Sequence, residues 1–207
     1  MSTFLKNIWT ELVTEYTADK EIRSLYWEEI CENYTHPSRY YHNLEHIESM
    51  VNELNYVKNQ IEDFDALLFS VYYHDIAYDA TSTQNEEESA RIAKERMAGL
   101  GCPEEKIRKV GAQILATKLH KTDQNHDTDY ILDADLAVLG RDWKDYREYA
   151  QKIRKEYHVY PDILYNPGRK KVLIHFLNLP QIFKTDHFYN IYEQNARENI
   201  QRELEDL

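Results

Sequence analysis

Cysteine is nearly absent from this chain. The two that occur among 207 residues, Cys31 and Cys102, lie far apart and form no CxxC pair. Neither a disulfide framework nor a thiolate zinc cluster is therefore indicated, and a reduced, cytoplasmic setting is expected. Glycine and proline are scarce, five of each, which leaves few of the breaks that a turn-rich β-protein needs. Long hydrophobic runs are missing as well: the most apolar stretch, Ala66 to Tyr73, is far shorter than the roughly 20 residues that cross a bilayer. The first residues, MSTFLKNIWTELVTEY, carry charge throughout and lack the apolar centre and small-residue cleavage site of a secretion signal. Positive charge is outnumbered, with 25 Lys and Arg against 37 Asp and Glu. The net charge of −12 opposes binding to nucleic-acid polymers but leaves room for a small anion wherever positive charge is concentrated.

What is present favours helix: Leu, Ile, Glu, Lys, Arg and Ala recur at helical spacing over most of the chain. Apolar residues return every three or four positions in Phe4–Tyr16, Ile22–Tyr34 and Leu44–Val57. Between the last two, NYTHPSRYYHN breaks the helix at Pro37, and Asn43 is suited to cap the next helix, so His46 falls in a first helical turn. Asp63–Ile76 is the most apolar candidate and is expected to cross the core. Further helices are predicted over Glu86–Leu100, stopped by Gly101 and Pro103, over Glu104–Leu119, over Trp143–Tyr160, over Arg169–Leu177 and over His187–Leu204. HKTDQNHDTD reads as a polar connection and ILDADLAVLG as a short apolar segment. With no repeat, linker or alternating strand pattern, the expectation is an all-α helical bundle in one domain spanning residues 1–207.

Three constellations carry chemistry. His42 and His46 stand one helical turn apart, a spacing at which both can approach one cation. The zinc-protease pattern fails here because Asn43 stands where its glutamate would be, and a structural role for the pair is the plainer reading. His74 and Asp75 come directly after the apolar run, where two buried ionisable groups cost several kcal/mol unless a cation or other partner satisfies them. The plain alternative is a solvent-exposed helix terminus. Third, Asp133 and Asp135 are embedded among Leu132, Leu136, Val138 and Leu139, unusual company for carboxylates.

A histidine, a His-Asp pair about thirty residues on, and a downstream aspartate resemble the HD superfamily of metal-dependent phosphohydrolases. Taken over the whole chain, RYYHNLEH, YYHDIAYD, NEEESA, ATKLH, LDADLAVLG, IRKEY and GRKKVL resemble a bacterial subgroup of predicted HD phosphohydrolases. The resemblance implies an HD-type bundle with its metal-site core at about 40–140 and C-terminal helices at about 141–207 completing the site. It also implies that His46, rather than His42, joins His74, Asp75 and Asp135 as the metal ligands, and that Asp75 orients the attacking water. Such a mixed nitrogen and oxygen shell suits Mn, Fe, Co, Ni, Zn or Mg. One divalent ion is expected, with a second as the alternative if His120 or His126 joins the site.

Around this centre, Asp79, Asn85 and Glu86 are candidates because the loop after Asp75 must pass close to the metal, although each also suits a turn or cap. Asp79 and His120 join Asp75 as catalytic candidates, with His120 serving the leaving group and His126 expected in solvent. Arg154, Arg169, Lys170 and Lys171 are candidate clamps for an anionic substrate, and otherwise solvated surface charges, with Glu86 a further candidate substrate contact. Several of the 17 tyrosines, among them Tyr40, Tyr41, Tyr73, Tyr78, Tyr157 and Tyr165, suit stacking on a base, though most must be packing. The functional expectation is hydrolysis of a small phosphorylated metabolite, a nucleotide by preference, by a monomer or homodimer. The alternatives are a regulatory domain that binds nucleotide or metal without turnover, and di-iron oxygen chemistry.

Overall fold

A computed structural model describes residues 2–122 and 125–207. The fold is all-α, with ten α-helices and no strand among the described residues. They are α1 (Thr3–Thr14), α2 (Lys20–Tyr34), α3 (Leu44–Tyr56), α4 (Phe64–Tyr73), α5 (Asn85–Leu100), α6 (Glu104–Thr117), α7 (His126–Leu136), α8 (Trp143–Glu156), α9 (Asp162–Asn178) and α10 (Asp186–Asp206). Short 3-10 turns cover Lys58–Gln60 and Ala137–Gly140.

The core is built round α4, whose residues Ala66 to Tyr73 are all buried and which packs against α3, α5, α6 and α7. Trp9 of α1 meets Phe69, Tyr72 and Tyr73 edge to face, at ring separations of 6.1, 5.3 and 6.1 Å. The helix starts are capped as their sequence suggests. Asp19, Asn43 and Asp63 accept hydrogen bonds from the first amides of α2, α3 and α4. Gly101, at φ 82°, closes α5 in the left-handed conformation that glycine adopts freely.

Buried carboxylates fasten the layers. Asp127, fully buried, accepts from the amides of Glu62 and Asp63 at 2.9 Å each and ties the start of α7 to the entry of α4. Asp133 accepts from the amides of Lys184 and Thr185 and from the Thr185 hydroxyl, all at 2.8–3.1 Å, and ties α7 to the loop before α10. Gly140 permits the closest approach: a Cβ there would lie 2.6–2.7 Å from backbone atoms of Tyr192 on α10.

Four boundaries differ clearly from those expected, the first being the end of α8, at Glu156 rather than Tyr160. α7 begins at His126, because HDTD is its capped first turn and not a polar connection. α9 begins at Asp162, seven residues before Arg169, and runs through Pro167 and Gly168, the pair that reads as a break in sequence. α4 stops at Tyr73, with His74 as its C-cap residue rather than continuing to Ile76.

Asp63 gives a test of how α4 is held. It caps the helix and pairs with Lys106 at 2.5 Å, and although burial works to raise its pKa, Lys106 and the Ala66 amide hold it below the ordinary carboxylate value. Asp63→Ala should cost about 1 kcal/mol at neutral pH by denaturant unfolding. A carboxylate with a lowered folded pKa stabilises above its unfolded value, so the gap between wild type and variant should close as pH falls below about 4. Gly140→Ala should destabilise by about 1–3 kcal/mol through overpacking against α10, a shift readable in the midpoint of the same unfolding curves.

Candidate metal centre

The centre forms where α3, α4 and α7 meet. His46 enters from the first turn of α3, its backbone fixed by the Asn43 cap. His74 and Asp75 come after the last turn of α4, and Asp135 lies in the last turn of α7. Two residues apart on a helix, Asp133 and Asp135 are about 200° apart round the axis and face opposite ways. This is why Asp133 anchors the distant loop while Asp135 reaches the histidines.

The ligand-type atoms converge closely. His46 Nε2 lies 3.3 Å from His74 Nε2 and 3.2 Å from Asp135 Oδ1. His74 Nε2 lies 3.1 Å from Asp75 Oδ2 and 3.9 Å from Asp135 Oδ1. One donor atom each from His46, His74 and Asp75 falls within a 4.8 Å group. Separations of this size suit donors that share one first-row divalent ion at about 2.1 Å each. The ring orientation suits it too: the Val71 carbonyl, 2.9 Å from His74 Nδ1, can only accept, so Nδ1 carries a proton and Nε2 is the nitrogen turned to the centre.

Exposure is layered. The His46 and His74 side chains are 2% and 1% exposed and form the floor, while Asp75 and Asp135 at 15% and 16% form a rim open to solvent. A second pair of histidines flanks that rim. His120 Nε2 lies 3.0 Å from Asp135 Oδ2, and His42 Nε2 lies 3.9 Å from Asp75 Oδ2. His120 has φ 47°, the one positive value outside glycine among the described residues, a conformation that brings its ring onto Asp135.

Electrostatics match the geometry. Burial disfavours the His74 cation, but Asp75 beside it and Asp135 beyond outweigh that and push its pKa up to about 9. Burial likewise disfavours charge on Asp75 and Asp135, yet the neighbouring histidines hold both below the ordinary carboxylate range. His46, desolvated and facing other histidines, is lowered. The centre thus carries two carboxylates that attract a cation.

The structure separates the remaining sequence candidates from the cluster to different degrees. Asp79 lies outside it: its carboxylate closes a turn on Thr81, and its backbone is bracketed by Asn85. Glu86 faces Lys118 at 3.8 Å. Arg154 binds Asp162 and the carbonyls of Tyr157 and Tyr160 at the corner between α8 and α9. Arg169 is buried in a two-point ion pair with Glu203 at 2.7 and 2.9 Å. The structure therefore does not bring Asp79 or these two arginines into the cluster as free groups. Lys170 is half-buried on α9, Lys171 exposed, and His126 exposed beside Tyr130.

Two residues that are not among the site candidates, although they lie in RYYHNLEH and IRKEY, fasten the surroundings of the centre. Arg39, 8% exposed, donates to the carbonyls of His42, Asp75 and Ile76 and so fastens the two ligand-bearing turns together. Glu156 at the end of α8 accepts from the amides of Tyr41 and His42, from Tyr78 and from His42 Nδ1. A signal for it exists in the sequence: Glu156 shares the stripe of Tyr146, Tyr149 and Ile153, where a carboxylate has to be satisfied inside the fold. Arg39, Tyr78 and Glu156 also line a cleft of about 500 Å³. A second cleft, about 400 Å³, lies among α8, α9 and α10 and includes none of the cluster residues.

No protein-family model, curated protein or solved structure matches the chain.

The ligand assignment is testable by elemental analysis. His46→Ala and Asp135→Ala should each lose most bound metal while keeping helical circular dichroism; full metal content in both would show the assignment to be wrong.

Proposed function

We propose that the protein is a metal-dependent phosphohydrolase acting on a small phosphorylated metabolite of the nucleotide class. The observation that carries this reading is the convergence of His46, His74 and Asp75, with Asp135 3.2 Å from His46, the imidazoles as floor and the carboxylates as solvent-facing rim. The likeness of the H…HD…D pattern to the HD superfamily points the same way.

In this reading the four residues hold one divalent cation from among Mn, Fe, Co, Ni, Zn and Mg. Such an ion supplies Lewis acidity, lowering the pKa of a water and polarising a phosphoryl oxygen. The chain's own groups do the rest. The Val71 carbonyl keeps His74 in the tautomer that offers Nε2. Asp75, held from behind through its carbonyl by Arg39 and through its amide by the Tyr34 hydroxyl, accepts a hydrogen bond from the attacking water and orients it. His120, beside Asp135 on the more exposed side, donates to the departing oxygen.

The test is phosphate release from a panel of nucleotides and sugar phosphates with Mn, Co, Ni or Mg added. Release should need metal, and Asp75→Asn should lower kcat by about 100-fold or more, the scale of a lost acid–base group. Tight nucleotide binding without turnover anywhere in the panel would replace this reading with a regulatory, ligand-holding one.

A further inference from the structure

A phosphorylated substrate brings negative charge to a rim that is already acidic, and the arginines that could have met it are engaged elsewhere. Arg39 is used by three carbonyls, Arg154 by Asp162 and two carbonyls, and Arg169 by Glu203. His42 is differently placed. Its side chain is 19% exposed, and it stands beside Asp75 on the open side of the centre.

The ring is held on one side only. Glu156 is 4% exposed, and its Oε1 accepts from the amides of Tyr41 and His42 at 2.7 and 3.0 Å. Its Oε2 accepts from the Tyr78 hydroxyl at 2.9 Å and lies 2.6 Å from His42 Nδ1. An ionised carboxylate can only accept, so Nδ1 donates. The Tyr78 ring, 4.4 Å away and tilted by 31°, covers one face of the imidazole. Nε2 is left with no hydrogen-bond partner among the described residues; Asp75 Oδ2, 3.9 Å away, is beyond hydrogen-bonding range. A buried four-bond anchor thus fixes a ring whose far nitrogen points to the rim unpartnered.

We infer that His42 donates from Nε2 to a phosphoryl oxygen of the bound substrate, and that Glu156 is the positioning residue that fixes the ring for this. The inference rests on the phosphohydrolase reading and names the protein's own donor within it. A substrate oxygen seated at Nε2 would set the ring between two acceptors, the Glu156 carboxylate at Nδ1 and the phosphoryl group at Nε2, so that each nitrogen donates. Because Glu156 also holds the Tyr41 and His42 amides, α8 sets both the direction of the ring and the position of its backbone.

The experiment is calorimetric titration of the full-length, Mn-loaded protein with inorganic phosphate, for wild type, His42→Gln, Glu156→Gln and the double variant. Either single change should weaken phosphate binding about 10-fold, the worth of one charge-assisted hydrogen bond, with Mn content and circular dichroism retained. The double variant should be no worse than the singles, since both break one arrangement. A downfield imidazole N–H proton resonance from the short bond between His42 and Glu156 should be present in wild type and absent in each variant. His42→Gln stands alone as a test should Glu156→Gln fail to fold.

Unchanged phosphate affinity in His42→Gln would overturn the inference, as would loss of Mn from that variant, which would make His42 a ligand instead. Affinity that survives His42→Gln but falls in Lys170→Gln would move the role to α9 and overturn it equally. Retained affinity in His42→Gln alongside a wild type that hydrolyses leaves the hydrolase reading standing. A wild type that neither binds nor releases phosphate brings down both.

Discussion

Four ionisable side chains share a space in which burial works against the charge of every one of them. Desolvating an ion costs several kcal/mol even after relaxation, and removing one partner of such a group strands the others. His46, His74, Asp75 and Asp135 therefore persist only as a set, each offsetting the desolvation of its neighbours at 3.1–3.9 Å. A proton on His74 balances part of the carboxylate charge, as its pKa of about 9 indicates. Any cation that takes the centre takes over that balance, and the packing of α3, α4 and α7 is what keeps the four groups within reach of it.

Holding that packing falls to a recurrent device, a buried charged side chain bonded to backbone groups that are for the most part far away in sequence. Asp127 holds the Glu62 and Asp63 amides, Asp133 the Lys184 and Thr185 amides, Glu156 the Tyr41 and His42 amides, and Arg39 the carbonyls of His42, Asp75 and Ile76. Each satisfies groups that helix ends and loops would otherwise bury unpaired. Side-chain packing alone tolerates small slips between helices, whereas a carboxylate with two or more directional bonds does not. The arrangement suits a centre that depends on tenths of an ångström.

His74 and Asp75 stand out in the sequence through a local signal, whereas the preference for His46 over His42 and for Asp135 over Asp133 rests on the family resemblance. An apolar run that ends in His-Asp, a capped turn before a histidine and a carboxylate within an apolar segment are each anomalies of burial that can be seen without coordinates. The opposed facing of Asp133 and Asp135 is hidden as long as their segment reads as apolar rather than helical. The use of Arg154 and Arg169 is hidden for a different reason: whether a guanidinium is free depends on partners such as Asp162 and Glu203, and no local pattern reveals that pairing. Glu156 lies in a conspicuous stretch, but there the neighbouring Arg154 is the more obvious partner for an anion, and only the fold shows which of the two faces the centre.

With those arginines engaged, the supply of positive charge at the centre becomes a constraint on chemistry. The protein as a whole carries −12, and the rim itself is two carboxylates. An anion approaching an empty rim meets repulsion, screened over about 10 Å by physiological salt but not removed at contact. A histidine flanks each carboxylate, and a divalent cation between those carboxylates would change the sign of the local field. Anion binding and cation binding at such a centre are thus linked: whichever arrives first raises the affinity for the other by the same factor. In the proposed reading, the acidity of the rim, which by itself disfavours a phosphorylated ligand, is what retains the ion that attracts it.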